Sequence, residues 1–172
     1  MKHIGLLSDT HSCWDDRFAT YFSSCDEIWH AGDIGNAAVA RRLQEIAPLR
    51  AVCGNCDGRN IRLDYHETIR FEIERTRVLM THIGGTPGHY DPSIRLQLSM
   101  DTPDLFVCGH SHILKVQYDT SMDMMYINPG ASGLQGWQTV RTLVRFNIDQ
   151  NRIRDLEVIE LRDSSRHCTI LD

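Results

Sequence analysis

Five apolar runs in this sequence, each about as long as a buried strand, are followed within a few residues by side chains that can bind a metal ion. In chain order these side chains are Asp9, His11, Asp33, Asn55, His82, His110 and His112. They offer two carboxylates, one amide and four imidazoles, a set that suits Mn²⁺, Fe²⁺ or Zn²⁺ without any thiolate. Because seven ligands exceed what one ion takes, two ions that share a bridging carboxylate would use them well. The pattern therefore indicates a metal site.

Each of these elements has a plainer explanation when it is taken alone. Asp9 could cap a following helix, and a Gly32-Asp33 step is common in turns. His82 could be an ordinary buried histidine of the core. The segment Gly109–His112 is more specific, because one strand end can direct two imidazoles into the same pocket. The recurrence of such residues after five separate apolar runs favours the metal interpretation.

The elements that would position these side chains alternate between strand and helix in the first half of the chain. The predicted strands cover residues 3–8, 26–30 and 49–53, and the predicted helices cover residues 15–24 and 36–47, the second with Asn36 as its N-cap. This order implies parallel strands with helices that cover the sheet. Since ligands bind beyond the carboxyl ends of strands in open α/β sheets, we expect the candidate ligands to meet at one edge.

Later segments predict hairpins, one short helix and one more buried strand. The predicted strands cover 67–74, 77–81, 105–108, 114–118, 124–127, 139–148 and 153–161, and the predicted helix covers 91–100 with Pro92 at its first position. Residues 58–60 are expected to continue a loop, and residues 163–172 to form a loose tail. Parallel units followed by hairpins suggest two packed sheets with outer helices, in a single domain over residues 1–172.

Composition narrows the class of protein further. The chain has 172 residues, of which 41% are hydrophobic, enough to bury a core without disulfide bonds. Its formal net charge of −5 and its scattered basic residues argue against a duplex nucleic-acid interface. It contains no apolar run long enough for a transmembrane helix and no signal region, so we expect a cytoplasmic protein. Its six cysteines are expected to be mostly reduced and buried.

The motifs resemble the signature of the calcineurin-like metallophosphoesterases. They are Asp9-x-His11, Gly32-Asp33, Gly54-Asn55-x-Asp57, His82 and Gly109-His110-x-His112. The short chain, Cys56 inside the third motif and the segment Asn128–Ser132 resemble the small YfcE-type phosphodiesterase branch. The resemblance spans about residues 1 to 135. It implies an α/β fold, a four-layer α-β-β-α sandwich of two mixed sheets flanked by helices, with a dinuclear metal site.

The resemblance also implies how the ligands divide between two ions. Asp9, His11 and His112 would hold one ion, Asn55, His82 and His110 would hold the other, and Asp33 would bridge them. Two divalent ions are expected, Mn²⁺ first, with iron, zinc or nickel as alternatives. A hydroxide bridging them would attack phosphorus, which makes a metal-dependent phosphodiesterase acting on a small phosphate ester the expected function. No membrane partner is expected, and a homo-oligomer is left open.

Cys56 is a departure from the family pattern, because most members have a histidine there that would protonate the leaving group. A thiol is a poor acid at neutral pH, so the sequence favours esters with good leaving groups, such as aryl phosphodiesters. Cys56 and His89 are the candidate substrate-binding residues, although His89 is also explained as an ordinary loop residue. No catalytic acid is assigned, and Asp57 is expected to fix local geometry.

Two functions of other classes fit parts of the sequence. A relative of this fold serves as a retromer scaffold subunit, so the chain could bind a protein partner and do little chemistry. A scaffold does not need a complete set of metal ligands. All seven candidate ligands are present here, which favours an enzyme. Cys53 and Cys56 could form a redox pair or half of a structural zinc site. No second Cys-x-x-Cys pair exists, and Cys53 lies in an apolar run, which disfavours that interpretation.

Overall fold

The structure, a computed structural model, describes residues 1–162 and 167–171 of the chain. Its elements are β1 (Lys2–Leu7), β2 (Cys13–Asp15), α1 (Arg17–Phe22), β3 (Glu27–His30), α2 (Ala37–Ile46), β4 (Leu49–Ala51), α3 (Arg59–Asp64), β5 (Thr68–Ile73), β6 (Thr76–Thr81), β7 (Gly85–Thr86), β8 (His89–Tyr90), α4 (Pro92–Met100), β9 (Leu105–Val107), β10 (Leu114–Asp119), β11 (Met124–Pro129), β12 (Arg141–Asp149), β13 (Arg152–Leu161) and β14 (Cys168–Ile170). None of the helices in the described part of the chain is long and apolar enough to cross a membrane.

Two five-stranded mixed sheets form the frame of the protein. The first has the order β13-β12-β1-β3-β4, and the second has the order β10-β11-β9-β6-β5. In the first sheet β1, β3 and β4 run parallel, as the alternation of strands and helices predicts, while β12 pairs antiparallel with β1. In the second sheet β6, β9 and β11 run parallel, between antiparallel edge strands β5 and β10. Both sheets therefore have several strand ends at the same edge.

The alternation of side chains along β1 shows how the sheets and helices form layers. Leu7 faces α1 and α2 and packs in a cluster with Phe18 and Leu43, whereas Ile4 and Leu6 face the second sheet. Helix α4 covers the far side of the second sheet through a further apolar cluster. The order of layers is therefore helix, sheet, sheet, helix, and the predicted four-layer sandwich is confirmed.

Two helices begin where the sequence predicts, because their capping residues satisfy the first free amides. The Asn36 side chain accepts a hydrogen bond from the Ala38 amide at 2.8 Å, and α2 starts at the next residue. The Asp91 carboxylate accepts from the Ser93 amide at 2.9 Å, with Pro92 in the first turn of α4. In each helix the cap thus supports the predicted start.

Helix α3 corrects the expectation of a continuing loop at residues 58–60. Its six residues bury Ile61, and Arg62 donates to the carbonyl oxygens of Gly54 and Asp57 at 2.7 and 2.9 Å. These contacts come from outside the helix, and a helix this short is marginal on local propensity alone. The predicted first helix is also shorter, because Cys13–Asp15 forms β2 instead.

The C-terminal segment corrects the expectation of a loose tail, as far as it is described. Strand β14 pairs antiparallel with β2, and Cys168 forms a disulfide with Cys13. Residues 163–166 and 172, which belong to the same expected tail, lie outside the described residues. The remaining four cysteines are free in the described structure, as expected for most of them, and the Cys13–Cys168 pair is the exception. A sequence separation of 155 residues hid that pair from any local pattern.

A buried ion pair joins β12 to β2. Arg141 is 2% exposed, and its Nη1 lies 2.9 Å from Oδ2 of Asp15, while its Nε donates to the Ser132 carbonyl oxygen at 2.6 Å. Burial alone would raise the pKa of the Asp15 carboxyl, but donors from Arg17 and Arg141 hold the pKa below its ordinary value. Asp15 is therefore an ionised carboxylate that depends on these donors.

Replacing Arg141 with methionine should lower the free energy of unfolding by about 3 kcal/mol, because a buried carboxylate loses one of its partners. Urea denaturation measures the loss directly. Arg162→Met is the matched control, since the Arg162 side chain pairs with Glu160 while it is 82% exposed. That control should lose less than about 1 kcal/mol. Equal losses in the two variants would contradict a structural role for the Arg141 pair.

Candidate metal centre

The candidate ligands lie where the parallel strand ends of the two sheets meet. Three of the five strands, β1, β3 and β4, belong to the first sheet, and β6 and β9 belong to the second. Within the first sheet the Asp9 amide donates to the Gly32 carbonyl oxygen at 3.0 Å. Within the second sheet the Gly109 amide donates to the His82 carbonyl oxygen at 3.0 Å. These backbone hydrogen bonds hold the loops that follow the strands side by side.

Three groups of side chains have ligand atoms close enough to share an ion. They are Asp9 with His11 and His112, Asp33 with His82 and His110, and His11 with Asp33 and Cys56. Within each group the ligand atoms all lie within 4.8 Å of one another. The structure therefore brings together all six predicted ligands that are aspartate or histidine, and Asp33 and His11 each belong to two groups.

Two atoms of this cluster are buried without a hydrogen-bond partner among the described residues. They are Oδ1 of Asp9 and Nε2 of His82. Oδ1 of Asp9 faces Nε2 of His112 at 3.1 Å, and Nε2 of His82 faces Oδ2 of Asp33 at 3.2 Å. A buried polar atom without a partner costs free energy, and bound cations would satisfy these two atoms. The cluster therefore fits divalent metal ions.

Hydrogen bonds on the far side of two imidazoles fix which nitrogen faces the cluster. Nδ1 of His82 lies 2.7 Å from the Ala31 carbonyl oxygen, and Nδ1 of His112 lies 2.9 Å from Oε1 of Gln138. Because these oxygens only accept, each Nδ1 carries the proton when the ring is neutral. Each Nε2 then presents its lone pair to the cluster, the arrangement of a metal-binding histidine.

Each carboxylate of the cluster has one oxygen held by the protein and one directed at the imidazoles. Oδ2 of Asp9 accepts from the Ser8 hydroxyl at 2.6 Å and from the His110 amide at 3.1 Å. Oδ1 of Asp33 accepts from the Cys56 amide at 2.8 Å. The other Asp33 oxygen lies 3.8 Å from Nε2 of His11, in addition to its approach to His82. Asp33 thus stands between the two halves of the cluster.

The electrostatics of the cluster favour a bound cation. Burial would raise the pKa of Asp33, but the neighbouring His82 imidazole and the Cys56 amide hold its pKa well below the ordinary range. Burial alone would lower the pKa of the His82 imidazole. The Asp33 and Asp9 carboxylates outweigh burial, so the net pKa is raised. For His11 burial prevails over the same carboxylates, and its pKa is lowered. The negative field that attracts a proton to His82 would equally attract a metal ion.

The backbone of the cluster is strained at most of the candidate ligands. The residues with a positive φ are Asp9 (55°), His11 (46°), Asp33 (54°), His110 (67°) and His112 (59°). Only a few per cent of non-glycine residues adopt this left-handed conformation. Five ligands in this conformation at one place indicate that the fold imposes it, and such strain gathers at functional sites.

Two of the glycines that precede ligands are required by close approach. A Cβ on Gly54 would lie 2.0 Å from Oδ1 of Asp33, and a Cβ on Gly109 would lie 2.1 Å from the Ser8 hydroxyl oxygen. Any side chain at either position would push the neighbouring loop away. The glycines that punctuate the sequence motifs are therefore part of how the ligands are brought together.

Asp57 fixes the loops around Asp33, as its place in the third motif predicts. Its Oδ1 accepts from the Gly35 amide at 2.7 Å. Its Oδ2 accepts from the amides of Gly54 at 2.8 Å and Ile34 at 3.2 Å. This buried carboxylate ties the loop after β3 to the loop after β4. The loop that carries Asn55 is thereby held next to Asp33.

The remaining predicted residues occupy three different environments. Asn55 is exposed and lines a cavity of about 360 Å³ together with His82. Cys56 is exposed beside Asp33, and burial of its sulfur, with the Asp33 charge, raises the pKa of the thiol. Cys53 is buried in the core, and the structure contains no bond between it and Cys56. His89 lies on β8 and lines a separate depression, whose described lining includes none of the candidate ligands.

Several residues outside the ligand set support the cluster. The imidazole of His30 lies 2.9 Å from the Thr10 hydroxyl and accepts from the Gly32 amide, and burial lowers its pKa to about 4. Asn128 donates to the Gly109 carbonyl oxygen at 2.8 Å. Gln138, which orients His112, lies in an irregular loop with no motif around it. Of these residues, Asn128 had one signal in the sequence, namely its position in the segment Asn128–Ser132 that carries part of the family resemblance.

Replacing Gln138 with alanine should weaken metal binding about 10- to 100-fold, because His112 loses the acceptor that fixes its Nδ1 proton. Titration calorimetry of the metal-stripped chain with Mn²⁺ measures this change. Gln135→Ala is the matched control on the same loop, since Gln135 contributes a backbone carbonyl oxygen rather than its side chain. Unchanged affinity in the Gln138 variant would show that the imidazole needs no such support.

Comparison with known proteins gives one consistent result. The family model described as a calcineurin-like phosphoesterase superfamily domain matches residues 1–151. A probable metallophosphoesterase of Methanothermobacter thermautotrophicus is 31% identical over 134 residues, covering 74% of this chain and 76% of that protein. Vps29 of Entamoeba histolytica, solved in complex with zinc, has a TM-score of 0.76 at 16% identity, covering 97% of each chain. An archaeal phosphodiesterase has a TM-score of 0.71 at 22% identity, covering 92% of this chain and 99% of its own.

Proposed function

Because the chain belongs to the calcineurin-like phosphoesterase superfamily, we propose that it hydrolyses a phosphodiester at the cluster built around Asp33. The observation that carries this proposal is the pair of buried atoms without partners, Oδ1 of Asp9 and Nε2 of His82. Both face the centre of a cluster whose backbone is strained at five ligands. Strained backbone and unpartnered buried atoms lower the stability of a protein, so a purely structural role does not explain this arrangement.

In this proposal the ligands divide into two sets around Asp33. Asp9, His11 and His112 hold one divalent ion, and Asn55, His82 and His110 hold the other, with Mn²⁺ as the first choice. When bound, two such ions supply Lewis-acid stabilisation of phosphoryl charge and an activated water. Two of the three close groups support this division. Asp9, His11 and His112 lie together in one group, and Asp33, His82 and His110 lie together in another.

The residues of this chain contribute position and charge to the reaction. Asp57 and Arg62 hold the loop after β4, so that Asn55 and the Cys56 amide keep their places beside Asp33. Ala31 and Gln138 hold two imidazoles with their Nε2 lone pairs inward. A phosphate group entering the site would therefore meet ligands that need no rearrangement, which is the usual condition for electrostatic stabilisation of a transition state.

The preference for diesters with good leaving groups follows from Cys56. A thiol is a poorer proton donor at neutral pH than the histidine that most family members have, so an alkoxide leaving group would depart without an effective proton donor here. Aryl phosphodiesters suffer least from that loss. The role of His89 as a substrate-binding residue or proton donor stays a prediction. His89 lines a depression whose described lining includes none of the candidate ligands.

A protein-binding scaffold is the second candidate function, and the likeness to Vps29 in fold favours it. Metal binding alone does not separate the two functions, because that Vps29 was itself solved in complex with zinc. The complete set of predicted ligands in the sequence supports the enzyme, and turnover decides between the two.

Metal-stripped protein should be inactive on bis(p-nitrophenyl) phosphate and should regain turnover when Mn²⁺ is added, because the two ions supply the attacking water. Release of p-nitrophenol measures the rate. Asp33→Asn should reduce turnover at least about 100-fold and weaken binding of both ions, since it removes the carboxylate between the two ligand sets. Absence of turnover in stripped and reloaded protein, with an unchanged circular dichroism spectrum, would reject the enzyme and leave the scaffold.

Cys56→Ser should keep turnover of the same substrate within about fivefold of the wild type, because a p-nitrophenolate leaving group needs little protonation. The hydroxyl is close in size to the thiol and leaves the Cys56 amide bond to Asp33 in place. Cys25→Ser is the matched control at a half-buried free cysteine away from the ligands. A fall to background in the Cys56 variant alone would show that the thiol takes part in catalysis.

A further inference from the structure

A fully exposed tryptophan stands beside the candidate metal centre. The side chain of Trp137 is 100% exposed, whereas Trp14 and Trp29 are buried. Ile113 is 67% exposed and Val140 is 41% exposed near the same loop. Single apolar residues on a surface are ordinary, but an indole grouped with other exposed apolar side chains marks a binding surface.

This surface is the wall of a cavity that begins at two candidate ligands. Trp137 lines a cavity of about 690 Å³ together with His110 and His112. Ile113 and Val140 also line it, so the cavity leads from the ligands to the apolar wall. Its volume lies within the range of small-molecule sites. A substrate held by its phosphate at the ligands would place a substituent against Trp137.

The charge of the cavity restricts what that substituent can be. Among the described residues that line it, Glu160 is the one carboxylate, and neither Lys nor Arg is present. A second phosphate in this direction would find no counter-charge and would meet Glu160. An uncharged flat ring would instead gain contact with the indole face, the preferred packing of aromatic groups.

The loop that carries Trp137 is fixed against His112. Gln138, the next residue, contacts Nδ1 of His112 and donates to the carbonyl oxygens of Gly133 and Gln135 at 3.1 and 2.7 Å. On the other side, Gly136 has a φ of +114°, and a Cβ there would lie 2.2 Å from Nδ1 of His112. The backbone on both sides of Trp137 is therefore fixed next to a candidate ligand.

A second cavity, which begins at other candidate ligands, has a different character. It is lined by Asn55 and His82 and also by the polar residues Arg62, Glu67 and Gln97. The two cavities thus differ in polarity, and a diester has two substituents that could differ in the same way. The apolar cavity suits the aromatic one.

We propose that Trp137 and the apolar wall beside it bind an uncharged aromatic substituent of the phosphodiester. This inference rests on the proposed function of the cluster and names the class of substrate: a diester with an aromatic ring on one ester oxygen. Trp137 would act as a specificity-determining residue, and it would bind the ring without taking part in bond breaking.

Binding of inert analogues tests the proposal without any turnover. Diphenylphosphinate and dimethylphosphinate both carry one negative charge and have no ester bond to break. Calorimetry with the Mn²⁺-loaded chain should show that the diphenyl compound binds about tenfold tighter or better. Trp137→Ala should remove most of that preference, and Trp137→Phe should keep most of it. Leu134→Ala, at a position 44% exposed on the same loop and outside the cavity lining, should change nothing.

Kinetics on two substrates with the same leaving group give a second measurement. Bis(p-nitrophenyl) phosphate carries an aromatic ring on its retained ester, and ethyl p-nitrophenyl phosphate carries an alkyl group there. Trp137→Ala should raise KM for the first about tenfold. For the second, KM and kcat should stay within about twofold of the wild type, because the ethyl group makes no stacking contact.

The outcomes separate this inference from the proposed function. If the wild type hydrolyses neither diester, the proposed function fails, and calorimetry still decides whether Trp137 binds the ring. If it hydrolyses both and the Trp137→Ala variant treats them alike, the inference fails while the proposed function stands. The inference is also wrong if Trp137→Ala changes the molar mass in light scattering and leaves the phosphinate preference intact. In that case the surface would bind a second copy of the chain.

Discussion

The crowding of acceptor atoms at the meeting edge of two sheets is the constraint on which the rest of the structure depends. Two carboxylates and several imidazole lone pairs face one another there at 3–4 Å, with Oδ1 of Asp9 and Nε2 of His82 buried and unpartnered among the described residues. Such groups repel or waste their hydrogen-bonding capacity unless a cation lies between them. The geometry is therefore costly for a protein without metal and suited to one that binds it.

Hydrogen bonds from the surrounding structure offset the free-energy cost of this arrangement. Left-handed backbone at five ligands costs on the order of 1–3 kcal/mol each, and it persists only where neighbours over-determine it. The neighbours here are backbone carbonyls and buried polar side chains: Ala31 on His82, Gln138 on His112 and Asp57 on three amides. Because each support links loops from different strands, the site is rigid only when the two sheets are packed together.

The sequence predicted most of the frame, because long apolar runs and their turn residues are local signals. The predicted strands, α2 with its Asn36 cap and α4 after Asp91 all appear close to their expected bounds. The ligands were found for the same reason, since each follows a strand and some follow a glycine. That glycine proves to be a requirement of close approach at Gly54 and Gly109.

What the sequence did not predict depends on contacts between distant residues. Helix α3 is anchored by Arg62, β14 pairs with β2, and the Cys13–Cys168 disulfide spans most of the chain. Gln138 and Trp137 lie in an irregular loop whose position relative to His112 is set only in the folded protein. No local periodicity or motif carries such information, so side chains that support or extend a site are harder to predict than its ligands.

Anomalous diffraction from crystals grown with Mn²⁺ tests directly for a dinuclear centre, because it locates bound ions without reference to activity. Two peaks are expected, one beside Asp9, His11 and His112 and one beside Asn55, His82 and His110, with Asp33 between them. A single peak, or no peak at saturating Mn²⁺, would contradict a dinuclear centre.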